Sequence, residues 1–479
     1  MIKAGSIHFF LSKKHVWILI PVLFLIFCHV IGFNGLYGQD SFEYLRYSRA
    51  LHEYLSGGGL PGTFFWPVLY PLSGALVSFL LPDVFALQVV SIFCFGMTIL
   101  FLRKILLYLY PARKKEIALY LVLFFSISPF VMRYSSVVMS DSMTMFFLTA
   151  FLYYYFLFKE KGLNRHFILL SFFAFAAINT RYASIAVVFI PGVDALTRFI
   201  RNFKLNTFLF TLLIVAIVFL PNIILEIQGS PALAGSILVP GWSLVNFFHR
   251  SFFSPDGHQT YNFPNISFVF SNLFNPGYIL PGLLFLLFLK REIISRPLQL
   301  TIVIVIVAYA LFLSGLTTQN SRFLLATFPC VIILYSESFF RCWDYLRKTK
   351  KYILYSLIVI ITLAQMALFY RAFKPFYEDS RTVKEIAVSI KAYPGITIYT
   401  FNIDMGLKAY GIKNEIINLW SCRINYFKPG SLVLFNYINS SRQWKNMNPL
   451  INWEKVKKEN GLILIEKLPG GWNLYGIKN

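Results

Sequence analysis

The chain has 479 residues, of which 57% are hydrophobic and 18% aromatic, while only 14% are charged. Soluble domains carry about 25% charged residues, and 52 phenylalanines are more than a water-soluble core of this size buries. This composition excludes an ordinary soluble protein and predicts a polytopic membrane protein. The net charge of +23 would suggest a nucleic-acid partner for a soluble chain, but here the positions of the charges explain it differently.

The five cysteines show neither a disulfide framework nor a CxxC metal motif. The apolar run Val16 to Phe33 follows Lys3, Lys13 and Lys14, as in a signal peptide. No small-residue cleavage pattern follows this run, and it is long enough to cross a bilayer. We therefore expect the run to be retained as the first membrane span.

Apolar runs recur along the first 370 residues and predict about eleven membrane spans. Several are shorter than the ~20 residues that a perpendicular helix needs, so the region Phe167 to Val193 fits either two crossings or one broken or re-entrant segment. The runs are Val16 to Phe33, Val84 to Leu102, Ile117 to Val131, Met143 to Phe158, Phe167 to Ile178, Ala183 to Val193, Thr207 to Leu225, Tyr278 to Leu289, Leu298 to Leu316, Phe323 to Tyr335 and Tyr352 to Phe369.

The distribution of Lys and Arg tests this count. With the N-terminus inside, the predicted cytoplasmic segments hold 22 of these residues, whereas the outer loops before Arg371 hold six. The positive-inside rule predicts this bias, provided that Phe167 to Val193 crosses twice. The last span then ends outside the cytoplasm, and the tail that follows it is expected to be extracytoplasmic.

Residues 1–370 are thus the predicted transmembrane domain and residues 371–479 a small soluble domain. The tail mixes a helical stretch, Ser380 to Tyr393, with strand-like runs. These runs are Ile396 to Phe401, Ser431 to Tyr437, Gly461 to Leu468 and Trp472 to Ile477. The expected fold class is mostly α, a polytopic membrane helical bundle with a small C-terminal extracytoplasmic α/β domain.

The predicted spans contain no Asp, Glu, Lys or Arg. Transporters coupled to ions or protons usually keep such groups inside the bilayer, where the groups couple transport to the ion. Apart from the basic cytoplasmic segments, the ionisable residues crowd at the outer ends of the spans, and two outer loops are long, Asn34 to Asp83 and Glu226 to Gly277. This pattern favours an enzyme that acts at the outer face of the membrane.

Asp40 and Glu43 follow the first span and share one face of a predicted helix. Asp40 is the candidate catalytic carboxylate, a general base for an acceptor hydroxyl. Glu43 is a candidate ligand for the acceptor or for a metal ion. The same spacing also fits a capping box, with Asp40 as N-cap and Glu43 at N3.

Asp141 is the second acidic candidate, at the predicted outer start of the fourth span. It also fits the N-cap of a helix that begins at Ser142. Two carboxylates at the outer ends of neighbouring spans can divide the work, since one takes a proton while the other binds a metal ion or orients the acceptor. The sequence therefore leaves a divalent metal ion at Asp141 as an open alternative.

Several cations at the same predicted face are candidates for binding a donor phosphate, because arginine suits bidentate phosphate recognition. Each of them alone also fits an interfacial side chain that extends towards water. His258 follows Asp256 in a loop, which is a weak metal signal. The phosphate-binding candidates are Arg181, Arg322, Arg133, His249 and Arg250.

Together these residues resemble the GT-C superfamily of integral membrane glycosyltransferases, in particular the branch that includes protein O-mannosyltransferases and the aminoarabinose transferase of lipid A. The resemblance covers most of the chain up to about Arg371. In this sequence the segment Ser140-Asp141-Ser142 has one acidic residue where the commoner pattern of the family has two, which puts a metal ion there in doubt. It rests on Gly38-Gln39-Asp40-Ser41, the stretch Phe65 to Leu72, Asp141, the segment Gln319 to Phe323 and the soluble tail.

The resemblance implies a polyprenyl-phosphate sugar donor and a glycolipid, polysaccharide or protein acceptor, in a multi-pass protein of a bacterial inner membrane. Asp40 then deprotonates the acceptor hydroxyl, which attacks the anomeric carbon and inverts it. The leaving phosphate needs positive charge from Arg322, Arg181 or a divalent ion. The sequence has no GxGxxG after a strand and no Walker motif, so neither a nucleotide cofactor nor a nucleic-acid partner is expected.

Two other classes of function fit the same features. A lipid-linked glycan flippase or exporter also has many spans and basic cytoplasmic loops, but it performs no covalent chemistry. A membrane scaffold would use the soluble tail to bind partners. Loss of sugar transfer in an Asp40→Asn variant separates the enzyme from both.

Overall fold

The computed structural model describes residues 16–229, 241–254, 257–289, 296–459 and 461–478. Most of them are helical, as expected for a chain that must satisfy its backbone hydrogen bonds within lipid. The helices of the first half are α1 (Val16–Val30), α2 (Gly38–Leu55), α3 (Leu69–Val77), α4 (Asp83–Leu109), α5 (Lys114–Leu121), α6 (Pro129–Ser135), α7 (Asp141–Lys161), α8 (Asn164–Ile178), α9 (Ile185–Arg201) and α10 (Leu205–Ile227).

The second half adds nine described helices and all seven described strands. The helices are α11 (Asn265–Phe268), α12 (Ser271–Phe274), α13 (Gly282–Leu287), α14 (Pro297–Ser314), α15 (Phe328–Thr349), α16 (Lys351–Ile390), α17 (Asp404–Ala409), α18 (Tyr437–Gln443) and α19 (Asn448–Glu459). The strands are β1 (Ser251–Ser254), β2 (Gly257–Thr260), β3 (Ile398–Thr400), β4 (Ile416–Asn418), β5 (Leu432–Phe435), β6 (Leu462–Lys467) and β7 (Asn473–Ile477).

Every predicted apolar run overlaps a helix, although Tyr278 to Leu289 is helical only over Gly282–Leu287, and the number of clear spans is smaller than predicted. Among the described residues, five helices are long and apolar enough to cross a membrane, and a sixth results if α5 and α6, bent by 63°, count as one broken span. The remaining runs form shorter or less apolar helices, so the count of about eleven is not confirmed. The region Phe167 to Val193 forms two helices, α8 and α9, joined by a turn; whether both cross stays a prediction.

The helical bundle is held together by one large cluster of buried side chains. Phe130 is typical of this packing. Its ring centroid lies 4.5 Å from that of Tyr278 and 5.2 Å from that of Phe328, and both ring pairs are edge-to-face. Within lipid such close packing, rather than escape from water, stabilises helix pairs. Helix α7 lies against both α4 and α8, and so places its N-terminus, Asp141, in the middle of the bundle.

The C-terminal region contains the predicted small α/β unit. Its five-stranded sheet has the order β4-β3-β5-β7-β6, with β3 parallel to β4 and β5, and with β7 antiparallel to β5 and β6. The sequence analysis found four of these strands and missed β4. The predicted domain boundary at residue 371 falls inside α16, a continuous helix of 40 residues; the boundary and the extracytoplasmic position stay predictions.

Strand β5 is buried on both faces because the sheet lies between two cores. Leu432 and Leu434 belong to the main cluster shared with the helical bundle. Val433 and Phe435 belong to a smaller cluster with Trp453 of α19. Successive strand residues point to opposite faces, so this one strand joins the soluble unit to the bundle.

Helix α17 packs closely against both α16 and α2. A Cβ atom on Gly406 would lie 2.5 Å from Val383 Cγ1 and 3.3 Å from the ring of Phe42, so only glycine allows this approach. Arg49 of α2 also donates a hydrogen bond from Nη1 to the carbonyl of Ala409 at 3.2 Å. Helix α2, which carries Asp40, is therefore held between the bundle and the C-terminal domain.

Candidate active site

Asp40 lies in the first turn of α2, where the free backbone N–H groups favour a negative charge. The alternative capping box is wrong, because α2 begins three residues earlier than that pattern requires and its N-cap, Tyr37, makes no side-chain cap hydrogen bond. The carboxylate pairs with a distant residue instead. Arg322 Nη2 donates to Asp40 Oδ2 at 2.5 Å.

Arg322 is held from several sides. It lies in the 3-10 turn Ser321–Ala326, and the side chain of Asn320 accepts a hydrogen bond from the Arg322 backbone N–H at 3.1 Å. Its Nη1 donates to Met139 Sδ at 3.0 Å. Burial alone would lower the pKa of Arg322, but the carboxylates of Asp40 and Asp141 outweigh burial and raise it. The guanidinium is therefore permanently charged.

Asp141 forms the second ion pair. It is the first residue of α7, and Ser140 is the N-cap, so the alternative in which Asp141 caps a helix starting at Ser142 is wrong. Its carboxylate accepts a hydrogen bond from Arg181 Nη1. The Asp141 side chain is only 4% exposed, against 31% for Asp40. Of the two carboxylates, Asp40 is therefore the more accessible to solvent.

The two ion pairs meet around a shared ring and form one group, which we call the four-charge cluster: Asp40, Arg322, Asp141 and Arg181. The guanidinium carbons of Arg181 and Arg322 lie 4.7 and 5.5 Å from the ring centre of Phe323. Such cation–π contacts help two like charges to stay in one buried site. The sequence analysis placed these four residues at the same face of the membrane, but it did not predict which carboxylate pairs with which arginine.

Tyr44 lies beside the four-charge cluster, next to Asp141. Its hydroxyl shares a hydrogen bond of 2.9 Å with Ser140 Oγ, and burial raises the pKa of Tyr44, so it stays neutral. Trp66 stacks on the Tyr44 ring with centroids 5.1 Å apart, and Tyr70 meets it edge-on at 5.1 Å. Trp66 and Tyr70, from the aromatic stretch that follows α2, thus pack against α2.

Arg133 lies next to the four-charge cluster. Its guanidinium carbon is 4.4 Å from the Tyr134 ring centre and 5.4 Å from that of Phe376, and its Nη2 donates a long hydrogen bond of 3.4 Å to Ser321 Oγ. It lines a cleft of about 670 Å³ together with Arg371 and several apolar side chains. The cleft therefore has a cationic part beside Ser321 and an apolar part.

The structure does not bring the other predicted residues into the four-charge cluster. Glu43 makes a bidentate ion pair with Arg46, at 2.6 and 2.7 Å, on the same helix. His249 and Arg250 are exposed residues just before β1, and the hydrogen bonds described for them involve their backbones. Within the described part of the chain, none of these three side chains contacts the four-charge cluster.

The residues around Asp141 do not fit a divalent metal site. The Asp141 carboxylate is bonded to a guanidinium, and no group of three or more His, Cys, Asp or Glu is close enough to bind a metal ion among the residues described. Divalent ions need several oxygen or nitrogen ligands. We therefore derive no step through a metal ion.

Sequence reasoning missed Ser140, Met139 and Phe323. Tyr44 carried a readable signal, because it follows Asp40 by four residues and so lies on the same helix face. Ser140 and Phe323 are sequence neighbours of predicted site residues, but nothing in their pattern shows that they contact α2 or the two arginines.

The fold and the charged cluster define an integral membrane protein built as a helical bundle with a small sheet domain. Its fold is similar to that of ArnT, a GT-C aminoarabinose transferase, as the resemblance noted for this sequence predicted. ArnT from Cupriavidus metallidurans in the apo state aligns with a TM-score of 0.61 at 11% identity, covering 95% of this chain and 97% of ArnT. The same protein bound to undecaprenyl phosphate aligns with a TM-score of 0.58 at 11% identity, covering 97% of this chain and 98% of ArnT.

No family model matches the sequence, and no curated protein is similar to it in sequence. The GT-C resemblance is thus confirmed at the level of the fold, over almost the whole length of both chains.

Proposed function

We propose that the protein is a membrane glycosyltransferase that moves a sugar from a polyprenyl-phosphate donor to an acceptor hydroxyl at the extracytoplasmic face. The observation that carries this proposal is the Asp40–Arg322 ion pair beside the Asp141–Arg181 pair. An accessible carboxylate next to a permanent cation supplies both a base for the acceptor and a counter-charge for a leaving phosphate. The fold likeness to ArnT, one structure of which holds undecaprenyl phosphate, supports the lipid class of the donor.

In the proposed step, Asp40 takes the proton of the acceptor hydroxyl as the oxygen attacks the anomeric carbon. The bond from this carbon to the phosphate oxygen breaks, and its electron pair leaves with the polyprenyl phosphate. One displacement forms the new glycosidic bond, so the configuration is inverted. Arg322 stabilises the charge that develops on the phosphate.

The ion pair also suggests why the base acts only when donor is present. Arg322 donates a hydrogen bond to Asp40 Oδ2 at 2.5 Å, so this carboxylate oxygen is already engaged and is not available to the acceptor hydroxyl. A donor phosphate competes with Asp40 for the same guanidinium fork. Donor binding thus frees Asp40 to accept the acceptor's proton.

The other predicted residues receive supporting roles. Buried Asp141 orients Arg181 towards the donor phosphate, and Arg133 lies in the adjoining cleft, whose apolar part suits the lipid. Glu43, on the helix of Asp40, contributes to binding the acceptor. His249 and Arg250 remain candidates for further phosphate contacts.

The proposal is tested by transfer of labelled sugar from a polyprenyl-phosphate donor in proteoliposomes. Asp40→Asn should lower transfer by about 100-fold or more, because general-base catalysis contributes roughly 10²–10⁴, while donor binding persists. Glu53→Gln, an exposed change near the end of the same helix, is the matched control. Full transfer by Asp40→Asn would remove Asp40 from the mechanism, and movement of glycolipid without covalent product would favour the flippase.

A further inference from the structure

A second cleft, of about 600 Å³, lies between the β1–β2 hairpin, the segment before Arg322 and helix α18 of the C-terminal domain. The hairpin and α18 touch at its edge, where a Cβ atom on Gly257 would lie 2.5 Å from the carbonyl oxygen of Gln443. Gly257 has a φ of +94°, which also favours glycine. The cleft therefore lies where the β1–β2 hairpin of the membrane domain meets the C-terminal domain.

The chemistry of this cleft differs from that of the apolar surfaces around it. Side-chain amides and hydroxyls donate and accept hydrogen bonds at once, as sugar hydroxyls require, and an arginine binds a carboxylate or phosphate in a forked geometry. The described lining includes one guanidinium, that of Arg442, and no carboxylate. Its main members are His258, Gln259, Tyr261, Gln319, Asn320 and Arg442.

The cleft is connected to the four-charge cluster through a short, well-bonded segment. Tyr261 shares a 3.3 Å hydrogen bond with Thr318, and Gln319 Nε2 donates to the Phe263 carbonyl at 2.7 Å. Asn320, which lines the cleft, accepts from the backbone N–H of Arg322. A ligand in the cleft therefore lies against the same turn that carries Arg322.

We propose that this cleft binds a saccharide that carries an acidic substituent. The amide and hydroxyl groups contact the sugar hydroxyls, and Arg442, supported by His258, binds the acidic group. Assigning the saccharide to the acceptor, rather than to the donor, rests on the proposed function, since the donor's phosphate belongs beside Arg322. The C-terminal domain thus takes part in choosing the acceptor.

The test is calorimetric binding to the full-length protein in detergent, with no donor present. Trigalacturonate, an acidic trisaccharide, should bind about tenfold or more tightly than neutral maltotriose, because a charged hydrogen-bonded contact exceeds 1.4 kcal/mol. Arg442→Gln should remove this difference, whereas Arg423→Gln, an exposed change in the same domain but outside the cleft, should keep it. Gln259→Ala should weaken both sugars alike.

Equal affinity for the two trisaccharides, or an equal loss in both arginine variants, would overturn the proposal. Inorganic phosphate that binds as tightly as trigalacturonate would show an anion site without sugar recognition, and would overturn it too. Thermal unfolding of each variant shows whether it is folded. Binding is measured without transfer, so a failure of the cleft and a failure of the glycosyltransferase proposal give different results.

Discussion

Asp40 and Asp141 are both paired with arginine, but their surroundings give the pairs different roles. The two arginines are similarly buried, Arg181 at 20% and Arg322 at 18% exposure, but the Asp141 side chain is 4% exposed and that of Asp40 31%. Removing one partner of a buried pair leaves an uncompensated charge, while an accessible pair is screened by water. We infer that Asp141 is mainly structural and that Asp40 is free to act in catalysis.

This difference predicts that Asp141→Asn acts mainly on the stability of the protein, whereas Asp40→Asn acts mainly on sugar transfer. Asp141→Asn should reduce the free energy of unfolding by about 3 kcal/mol, as for a broken buried ion pair. Asp40→Asn should reduce it by less, because the Asp40 carboxylate is 31% exposed even though its partner Arg322 is largely buried, while transfer falls by about 100-fold or more. Thermal unfolding midpoints in one detergent, measured beside the transfer assay, check both; equal destabilisation by the two changes would contradict the assignment.

A second prediction concerns the shape of the Arg322 side chain. Arg322→Lys keeps the positive charge but loses the planar fork that bonds Asp40 and Met139. Transfer should fall by roughly 10-fold to 100-fold in kcat, because charge stabilisation in the transition state depends on placed donors. Arg113→Lys, which alters a forked ion pair with Asp344 outside the four-charge cluster, is the control, and an unchanged kcat in Arg322→Lys would refute a role for the fork.

At the scale of elements, the position of α2 depends on the close packing of α17 against α16. Gly406→Ala places a methyl group 2.5 Å from Val383 Cγ1 of α16 and 3.3 Å from the ring of Phe42 of α2, so α17 can no longer pack as closely against these two helices. We expect a lower unfolding midpoint together with reduced transfer, because Asp40 then loses its position. Gly59→Ala enters open space and serves as the control; unchanged behaviour of Gly406→Ala would show that the docking is not needed.

The central strand of the C-terminal sheet gives another prediction. Leu434 is completely buried in the main cluster, whereas Ile463 of β6 is 52% exposed. Leu434→Ala should cost about 2–5 kcal/mol through the cavity it leaves, and Ile463→Ala much less. Limited proteolysis of the C-terminal region compares the loss of stability in the two variants. Equal cleavage of both would contradict the packing of the sheet against the bundle through β5.

The sequence predicted the helices well because hydropathy is a local property. It failed where neighbours decide the structure. Strand β4 has three residues, too few to show alternation, and is defined by its pairing with β3. The capping box failed because α2 starts at Gly38, and the bond from Arg322 to Asp40 joins residues 282 positions apart. No local pattern reports such a contact.

At the scale of the whole molecule, the charge bias predicts a topology. Reporter fusions after Gly162 and Asn206 should both signal the cytoplasm, since Lys and Arg cluster there. A fusion after Gly58, in the first outer loop, should signal the opposite side. An extracytoplasmic signal at Gly162 or Asn206 would show that Phe167 to Val193 does not cross twice.

Helix α16 sets a distance as well as joining two domains. Its 40 residues span about 60 Å at 1.5 Å per residue, about twice the ~30 Å hydrocarbon core of a bilayer. With its apolar half, Tyr352 to Phe369, in the lipid, we expect the remaining turns to extend beyond the hydrocarbon. Tyr37, just before α2, stacks on Phe376 of these turns with ring centroids 3.8 Å apart, so the length of α16 sets how far Asp40 stands from the lipid.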